Sequence, residues 1–275
     1  MKTRGILTIA IGRKFAIQAR YLSISCMLHA PDIPRAVITD CPRMLEDYYD
    51  VVLPYKSEYG NPFASKTRLH LYTPFDMTLF LDADSLVVSS PGFCWKALED
   101  SSFVYTGKLI KSGIWYFDVE RTLKKTGFPW VPDFNSGMLL FKNDRAAQKV
   151  FDTACDFMGR PEEFHVPFFR GDMLPDEPFF ALSFAQFGIE PHGDYGRFSR
   201  TLIGAEKITI NTVKGIARFK KHGKPVFPMA VHFCGRLGMT AYAIEKLRLR
   251  LHFFSLLDRL IINPLARLRK IVNHA

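Results

Sequence analysis

Short apolar runs, each bounded by glycine, proline or acidic residues, recur along the chain with room for helices between them. Runs this short are typical of buried strands, and they predict strands over residues 5–11, 36–40, 50–54, 78–81, 103–106, 137–141 and 229–235. Apolar positions that recur at helical spacing predict helices over residues 15–28, 64–72, 91–100, 144–158 and 179–187. Strands alternating with helices predict an α/β fold.

Residues 107–132 show no clear period, and we expect them to form an irregular loop over the functional site. The opening strand and helix resemble the start of a nucleotide-binding domain. They contain no G-x-G-x-x-G, so a dinucleotide site of the usual kind is not predicted.

The chain has 275 residues, 48% of them hydrophobic, without an internal repeat or a dividing linker, which allows a sizeable core. Five widely spaced cysteines, none in a C-x-x-C pair, predict neither a disulfide framework nor a zinc site. The first apolar run is too short for a signal peptide and no run reaches membrane-spanning length, so we expect a cytoplasmic protein. The net charge of +10 indicates an anionic partner: nucleic acid, a membrane surface or a phosphorylated substrate.

The segment around which the chain is organised covers residues 78–88, an apolar run whose first strand ends in two carboxylates. In open α/β sheets the carboxyl ends of strands face the ligand crevice. Asp82 and Asp84 are hard oxygen ligands that suit a divalent cation bound to a diphosphate. The isolated pattern is also typical of a turn with two solvated aspartates.

Other candidate binding groups lie near the ends of predicted strands and helices. Phe15 could stack on a base and Asp40 could accept a hydrogen bond from it, although a core ring and a capping acid are equally consistent. Lys66 and Arg68, on the helix before the acidic strand, could meet phosphate oxygens or simply be solvated. His232, on an apolar strand, is either a core histidine or a third metal ligand.

Two further segments place polar groups beside buried elements. Asn135, Ser136 and Gly137 precede a strand with short side chains and unhindered backbone, which suits either sugar hydroxyls or a simple bulge. Asp176 and Glu177 stand at the start of a helix, where they serve either as capping acids or as site carboxylates.

Four stretches together resemble the retaining glycosyltransferases that include glycogenin and the bacterial lipopolysaccharide galactosyltransferases. They are Leu79-Phe-Leu-Asp-Ala-Asp84, Phe134-Asn-Ser-Gly137, Pro175-Asp-Glu177 and Val231-His-Phe-Cys-Gly-Arg236, in the order found in that family. Thr8, Phe15 and the segment 67–70 add to the likeness, which covers about residues 5–236. No single motif is decisive; their order and spacing carry the resemblance.

The resemblance implies a GT-A fold, with a Rossmann-like mixed central sheet flanked by helices, and transfer of a hexose from a UDP-sugar with retention. It implies that Asp82, Asp84 and His232 hold Mn²⁺ or Mg²⁺, which neutralises charge on the departing diphosphate. It implies that Asp176 binds the donor and, with Glu177, forms the catalytic pair. The donor is implied to be bound by Thr8, Phe15, Lys66, Arg68, Asp82, Ala83, Asn135, Ser136, Gly137, Gly235 and Arg236.

Two departures from the family pattern bear on the mechanism. The family commonly has glutamine where this chain has Glu177, and a carboxylate can act as a nucleophile or stabilise an oxocarbenium ion. Retention through a front-face ion pair and through a covalent intermediate both stay open. The family also tends to carry a diphosphate-binding Lys-Pro-Trp after the histidine turn, which is missing here, and Arg236 or Lys224 could take its part.

The last residues, 245–275, carry seven lysines or arginines and two acids, and their net charge of +5 is half that of the chain. Apolar residues fall at helical spacing until Pro264, at Ile244, Leu247, Leu251, Phe254, Leu257 and Ile261. We therefore predict a transferase domain over residues 1–240 and a basic amphipathic helical tail over 241–275. The tail either lies on an anionic membrane surface, next to a glycolipid acceptor, or packs on the core with solvated arginines.

We therefore expect a transferase acting on a glycan or glycolipid acceptor. A non-catalytic nucleotide-sugar or glycan-binding module on the same fold is the alternative, suggested by the missing Lys-Pro-Trp. Nucleic acid is not expected as a partner, because the basic tail lacks the aromatic platforms and motifs that such binding usually shows.

Overall fold

The computed structural model describes residues 2–257, apart from 170, 172, 194 and 195, and describes the backbone alone over 254–257. Its strands are β1 (Arg4–Ala10), β2 (Arg35–Thr39), β3 (Val51–Pro54), β4 (Met77–Leu81), β5 (Ser85–Val87), β6 (Phe103–Val104), β7 (Gly107–Ile110), β8 (Val131–Phe134), β9 (Met138–Lys142), β10 (Arg200–Thr201), β11 (Ala205–Asn211), β12 (Ile216–Lys221), β13 (Lys224–Val226) and β14 (Ala230–His232). The helices are α1 (Arg13–His29), α2 (Pro62–Lys66), α3 (Leu69–Tyr72), α4 (Cys94–Ala97), α5 (Val119–Thr126), α6 (Arg145–Met158), α7 (Glu177–Phe187) and α8 (Gly235–Leu257).

Six strands form a central mixed sheet in the order β3-β2-β1-β4-β9-β6. The first four are parallel, while β9 runs antiparallel to both β4 and β6. Helices cover both faces of the sheet. On one face Leu7 and Phe80 join a core with Phe151 of α6 and Phe184 of α7, and on the other Leu79 packs into the core that includes Leu22 of α1. Burial on both faces explains why β1 and β4 read as continuous apolar runs.

In the described part of the chain, three smaller sheets lie outside the central one. Strand β14 pairs with β10 in parallel and with β5 in antiparallel, so the chain passes from the central sheet into this second sheet directly after β4. Strands β11, β12 and β13 form an antiparallel meander, and β7 pairs with β8. The acidic segment therefore lies where two sheets meet.

Most predicted elements are confirmed within one or two residues, and five predictions are wrong in extent. The strand predicted over 229–235 is only β14, and Gly235 already begins α8. The helix predicted over 64–72 is two short helices, α2 and α3; that predicted over 91–100 is only the four residues of α4; and the strand predicted over 103–106 is only β6. Residues 107–132 are not an irregular loop, since they contain β7, α5 and the start of β8. Helix α5 is largely polar and its formation depends on its ends, where Asp118 accepts from the Arg121 N–H and Gly127 adopts the left-handed conformation.

The C-terminal helix α8 begins at Gly235, so the predicted boundary at residue 240 falls inside it. The division into two units stays a prediction, and the rest of the predicted tail lies outside the described residues. Within the described part of the chain, no helix combines the length and apolarity needed to cross a bilayer.

Candidate active site

The two aspartates are fixed by backbone hydrogen bonds at the end of β4. The Asp82 N–H donates to the Gly137 carbonyl at 3.0 Å, which continues the pairing of β4 with β9, and the Asp82 carbonyl accepts from the Ser85 N–H at 2.9 Å. The second bond closes a tight turn, after which β5 begins. Asp82 thus ends one sheet and Asp84 precedes the first strand of another.

His232 reaches this turn through the pairing of β5 with β14. His232 lies opposite Ser85 in the antiparallel register, and the Phe233 N–H donates to the Asp84 carbonyl at 3.0 Å. The imidazole Nε2 lies 3.1 Å from Asp84 Oδ1 and 3.6 Å from Asp82 Oδ2. The three potential ligand atoms all lie within 4.8 Å of one another.

This arrangement fits a divalent cation. Two carboxylates and one imidazole are hard and borderline ligands of the kind that Mn²⁺ and Mg²⁺ sites use. The other ring nitrogen, Nδ1, is 2.8 Å from Asn135 Oδ1, an acceptor that holds the proton on Nδ1 and leaves Nε2 turned toward the carboxylates. A side chain at position 137 would disturb this pairing, because a Cβ on Gly137 would lie 2.2 Å from Nδ1.

The charges at the site stabilise one another. Burial alone would lower the pKa of His232, but the hydrogen bond and charge of Asp84, together with Asp82, raise it overall. Burial opposes ionisation of Asp84, and the contact with His232 nevertheless lowers its pKa. An ionised Asp84 carboxylate is the state needed to hold a cation.

Lys66 is the basic side chain that enters the site. Helix α2 begins at Pro62, is capped by Asn61, which accepts from two backbone N–H groups, and ends at Lys66. The Lys66 ammonium lies 2.8 Å from Asp82 Oδ1 and 3.7 Å from Asp176 Oδ2, and it donates to Ser136 Oγ at 3.2 Å. Despite burial, these carboxylates raise the pKa of Lys66.

Asp176 and Glu177 both border the site, in different surroundings. Asp176 is 2% exposed, and burial raises its pKa although Lys66 opposes the shift. Glu177 accepts from the Tyr116 hydroxyl at 2.7 Å, from Asn135 Nδ2 at 2.7 Å and from the Ser136 N–H at 3.1 Å. Burial, followed by the charge of Asp176, raises the pKa of Glu177.

These groups line one cavity of about 500 Å³. Eleven of the predicted site residues are in its wall, namely Phe15, Lys66, Asp82, Ala83, Asp84, Asn135, Ser136, Asp176, Glu177, His232 and Gly235. A volume of this size is in the range of small-molecule sites.

Four predicted donor-binding residues lie elsewhere, as does one other candidate. Thr8 is fully buried in β1. The Arg68 guanidinium lies 5.6 Å from the centre of the Tyr59 ring, Gly137 packs behind His232, and Arg236 is exposed on the first turn of α8. Asp40 accepts from the Gly12 N–H at 2.7 Å, which makes it a structural acid at the start of α1.

The cavity wall also contains residues that the sequence analysis did not single out. They are mostly apolar or aromatic: Ile9, Ile11, Pro62, Phe63, Tyr116, Phe169, Met173, Pro175, Ile203 and Cys234. Tyr116 comes from the segment expected to be a loop over the site, and that position was the one available signal. Pro175 and Cys234 lie within two of the stretches that carry the family resemblance. The remaining residues resemble core residues in sequence, and only the fold brings them to the cavity.

The fold is of the GT-A glycosyltransferase type. The galactosyltransferase LgtC, solved in complex with donor and acceptor sugar analogues, superposes with a TM-score of 0.59 at 16% identity over 88% of this chain and 95% of that one. The structure of an active-site mutant of LgtC gives a TM-score of 0.56 at 16% identity, with 84% and 88% covered. For the bifunctional glycosyltransferase WbbM the values are 0.53 and 11%, over 86% of this chain and 46% of that one.

At these identities the likeness concerns the fold. No protein-family model matches the chain, and no curated protein matches it by sequence. The chemistry of the protein therefore has to be inferred from its own site.

Proposed function

We propose that this protein is a metal-dependent glycosyltransferase that moves a hexose from a UDP-sugar to a glycan or glycolipid acceptor, with retention. The observation that carries the proposal is the convergence of Asp82, Asp84 and His232 within 4.8 Å, beside a cavity of about 500 Å³. A cation ligand set beside a cavity of this size is what a nucleotide diphosphate sugar requires.

Asp82, Asp84 and His232 would hold the cation, which we propose to be Mn²⁺ or Mg²⁺. When bound, it supplies positive charge that stabilises the diphosphate as a leaving group. The Lys66 ammonium lies 2.8 Å from Asp82 Oδ1 and holds this carboxylate in place. Asn135 holds the imidazole so that its Nε2 faces the two carboxylates.

The remaining cavity groups account for donor recognition. Phe15 is 40% exposed in the cavity wall, and its ring offers a stacking surface for uracil. Asn135 and Ser136 present short polar groups to sugar hydroxyls, and Asp176 is a buried acceptor held beside Lys66. Glu177 adds a carboxylate that can stabilise positive charge growing on the sugar ring or attack it directly.

The test is UDP release from a panel of UDP-sugars, with Mn²⁺ and with EDTA. We expect release with at least one sugar, its loss in EDTA and its recovery when Mn²⁺ is added back. Asp84→Asn should lose most of the activity. The control Asp32→Asn, at an exposed acid distant from Asp84 in the sequence, should keep it. Full turnover in EDTA would contradict the proposed site.

One observation favours a second candidate, a nucleotide-sugar-binding module without turnover. Lys66 is the one lysine or arginine among the described cavity-wall residues, and it already contacts Asp82 and Asp176. A diphosphate would then depend on the metal for most of its countercharge. Calorimetry that shows Mn²⁺-dependent UDP binding, with no sugar of the panel turned over, would support the module.

We also propose that α8 places the protein on an anionic membrane, at the cytoplasmic face. Tyr242, Glu245 and Leu249 are buried against the core, while Leu247 and Leu251 on the opposite side are 55% and 63% exposed. Arginines flank this exposed apolar stripe, a combination that suits acidic headgroups. Leu247→Glu with Leu251→Glu should reduce co-sedimentation with phosphatidylglycerol-containing vesicles without lowering the melting temperature; unchanged co-sedimentation would contradict the proposal.

A further inference from the structure

Asn135 is in contact both with His232, a candidate metal ligand, and with the carboxylate of Glu177. Its Oδ1 is 2.8 Å from His232 Nδ1, and its Nδ2 donates to Glu177 Oε1 at 2.7 Å. A single side-chain amide thus joins a candidate metal ligand to the carboxylate at the start of α7. The two groups it joins are 55 residues apart in the chain, and no backbone pairing connects them directly.

The orientation of the amide is fixed by a third contact. The Gly137 N–H donates to Asn135 Oδ1 at 3.2 Å, so the oxygen must face His232 and the nitrogen must face Glu177. Because Oδ1 can only accept, His232 has to carry a proton on Nδ1. The tautomer that leaves Nε2 available for a cation is therefore set by Asn135.

The orientation of the Glu177 carboxylate is also fixed by its hydrogen bonds. Glu177 Oε1 receives the Asn135 amide and the Ser136 N–H, while Oε2 receives the hydroxyl of Tyr116. Burial, with the charge of Glu177, raises the pKa of Tyr116, so its hydroxyl keeps the proton that it donates. Three donors on two oxygens hold the carboxylate in one orientation.

We infer that Asn135 is a positioning residue that couples the imidazole of His232 to the carboxylate of Glu177, beyond any contact it makes with a sugar. The position requires an acceptor on one side and a donor on the other at short reach, and among the amino acids asparagine supplies both. The inference rests on the proposed transferase function for its turnover readout. Its metal-binding readout does not depend on that function.

An isosteric substitution separates the two contacts. Asn135→Asp keeps an oxygen that accepts from the imidazole, but it removes the donor to Glu177 and sets two carboxylates side by side. Asn135→Ala removes both contacts. Tyr116→Phe is the matched variant, since it removes a donor to Glu177 from a residue that makes no hydrogen bond to the imidazole.

Mn²⁺ affinity is measured by electron paramagnetic resonance on the full chain, and turnover is measured as UDP release. We expect Asn135→Asp to hold Mn²⁺ at least as tightly as the wild type while kcat falls about a hundredfold, and Tyr116→Phe to retain Mn²⁺ with a smaller loss of kcat. Asn135→Ala should weaken Mn²⁺ binding about 10–100-fold, the usual effect of losing a partner of a metal-bound histidine. Melting temperatures identify any variant that fails to fold, and the other two then carry the comparison.

Any of three results would overturn the inference. The first two are an unchanged Mn²⁺ affinity in Asn135→Ala and an unchanged kcat in Asn135→Asp. Parallel losses of metal and turnover in Asn135→Asp would likewise show a merely structural role. If no UDP-sugar is turned over even by the wild type, the transferase proposal fails. The predicted order of Mn²⁺ affinities, with Asn135→Ala below the other proteins, then decides the inference.

Discussion

Lys66 supplies the countercharge to two carboxylates of the site, and Lys66→Met tests how much this contributes to stability. The lysine is 6% exposed, and its ammonium contacts Asp82, whose side chain is 22% exposed, and Asp176, whose side chain is 3% exposed. Methionine keeps most of the volume and removes the charge. The variant leaves one fully buried and one partly buried carboxylate without their countercharge.

Removing one partner of a buried ion pair destabilises a protein by about 3–5 kcal/mol, and because solvent reaches Asp82 we expect a value near the lower end, about 3 kcal/mol. For a chain of this size that corresponds to a fall in melting temperature of roughly 6–12 °C. Lys149→Met, on an exposed part of α6, is the matched control and should change stability by less than about 0.5 kcal/mol. The double variant Lys66→Met with Asp176→Asn should recover most of the loss, since the buried charge is then gone as well.

The loss of stability in the Lys66→Met variant should also depend on pH in a defined direction. Asp176 already has a raised pKa in the folded wild type, and without Lys66 it rises further. A carboxyl group whose folded pKa exceeds its unfolded value of about 3.9 stabilises the fold at low pH and loses that contribution as the pH rises through the folded pKa. The pKa of Lys66 is itself raised, so its own contribution is fully present throughout pH 5–8. The difference in free energy of unfolding between the Lys66→Met variant and the wild type, measured by chemical denaturation, should therefore shrink from pH 7 to pH 5. A difference below about 1 kcal/mol at pH 7, or one that grows on acidification, would refute the reasoning.

Three further predictions concern the site. Gly137→Ala should weaken Mn²⁺ binding at least about tenfold, because its Cβ would lie 2.2 Å from the imidazole of His232. The control Gly193→Ala, where a Cβ meets open space, should bind Mn²⁺ like the wild type. Equal Mn²⁺ affinities of the two variants, measured by paramagnetic resonance, would count against the site. Phe15→Ala should raise the KM for the donor about tenfold by loss of stacking, while Phe187→Ala, equally 40% exposed but outside the cavity, should leave it unchanged, as steady-state kinetics will show. Turnover should fall as the pH drops through the raised pKa of Glu177, because the carboxylate is then protonated, and a pH profile of Glu177→Gln should lack this acidic limb; an identical limb would assign it to another group.

Local sequence signals were sufficient where each element carried its own pattern. The helix predicted over 144–158 is α6, Arg145–Met158, because Asp144 caps it and the apolar spacing is regular. Helix α5 was missed because few of its residues are apolar, although the capping aspartate and the terminal glycine were both visible in the sequence.

Tertiary arrangement decided the residues that local patterns could not place. Lys66 and Arg68 were predicted on one continuous helix, where they could meet phosphate oxygens or be solvated. The helix is interrupted between α2 and α3, and while Lys66 contacts Asp82, Arg68 lies over the ring of Tyr59. The local sequence pattern does not show which of two basic residues, two positions apart, contacts the acidic turn. Only the fold determines this.

The distance between the acidic turn and the histidine is set by sheet register rather than by a loop. His232 pairs with Ser85, and a slip of one residue along β14 would present Val231 or Phe233 and turn the imidazole to the opposite face. Register in turn depends on the apolar faces of β5 and β14, whose Leu86 and Val231 are fully buried in one core. The same burial that stabilises this small sheet therefore holds the three candidate ligands together across 150 residues of sequence, which explains why their motifs must be interpreted jointly.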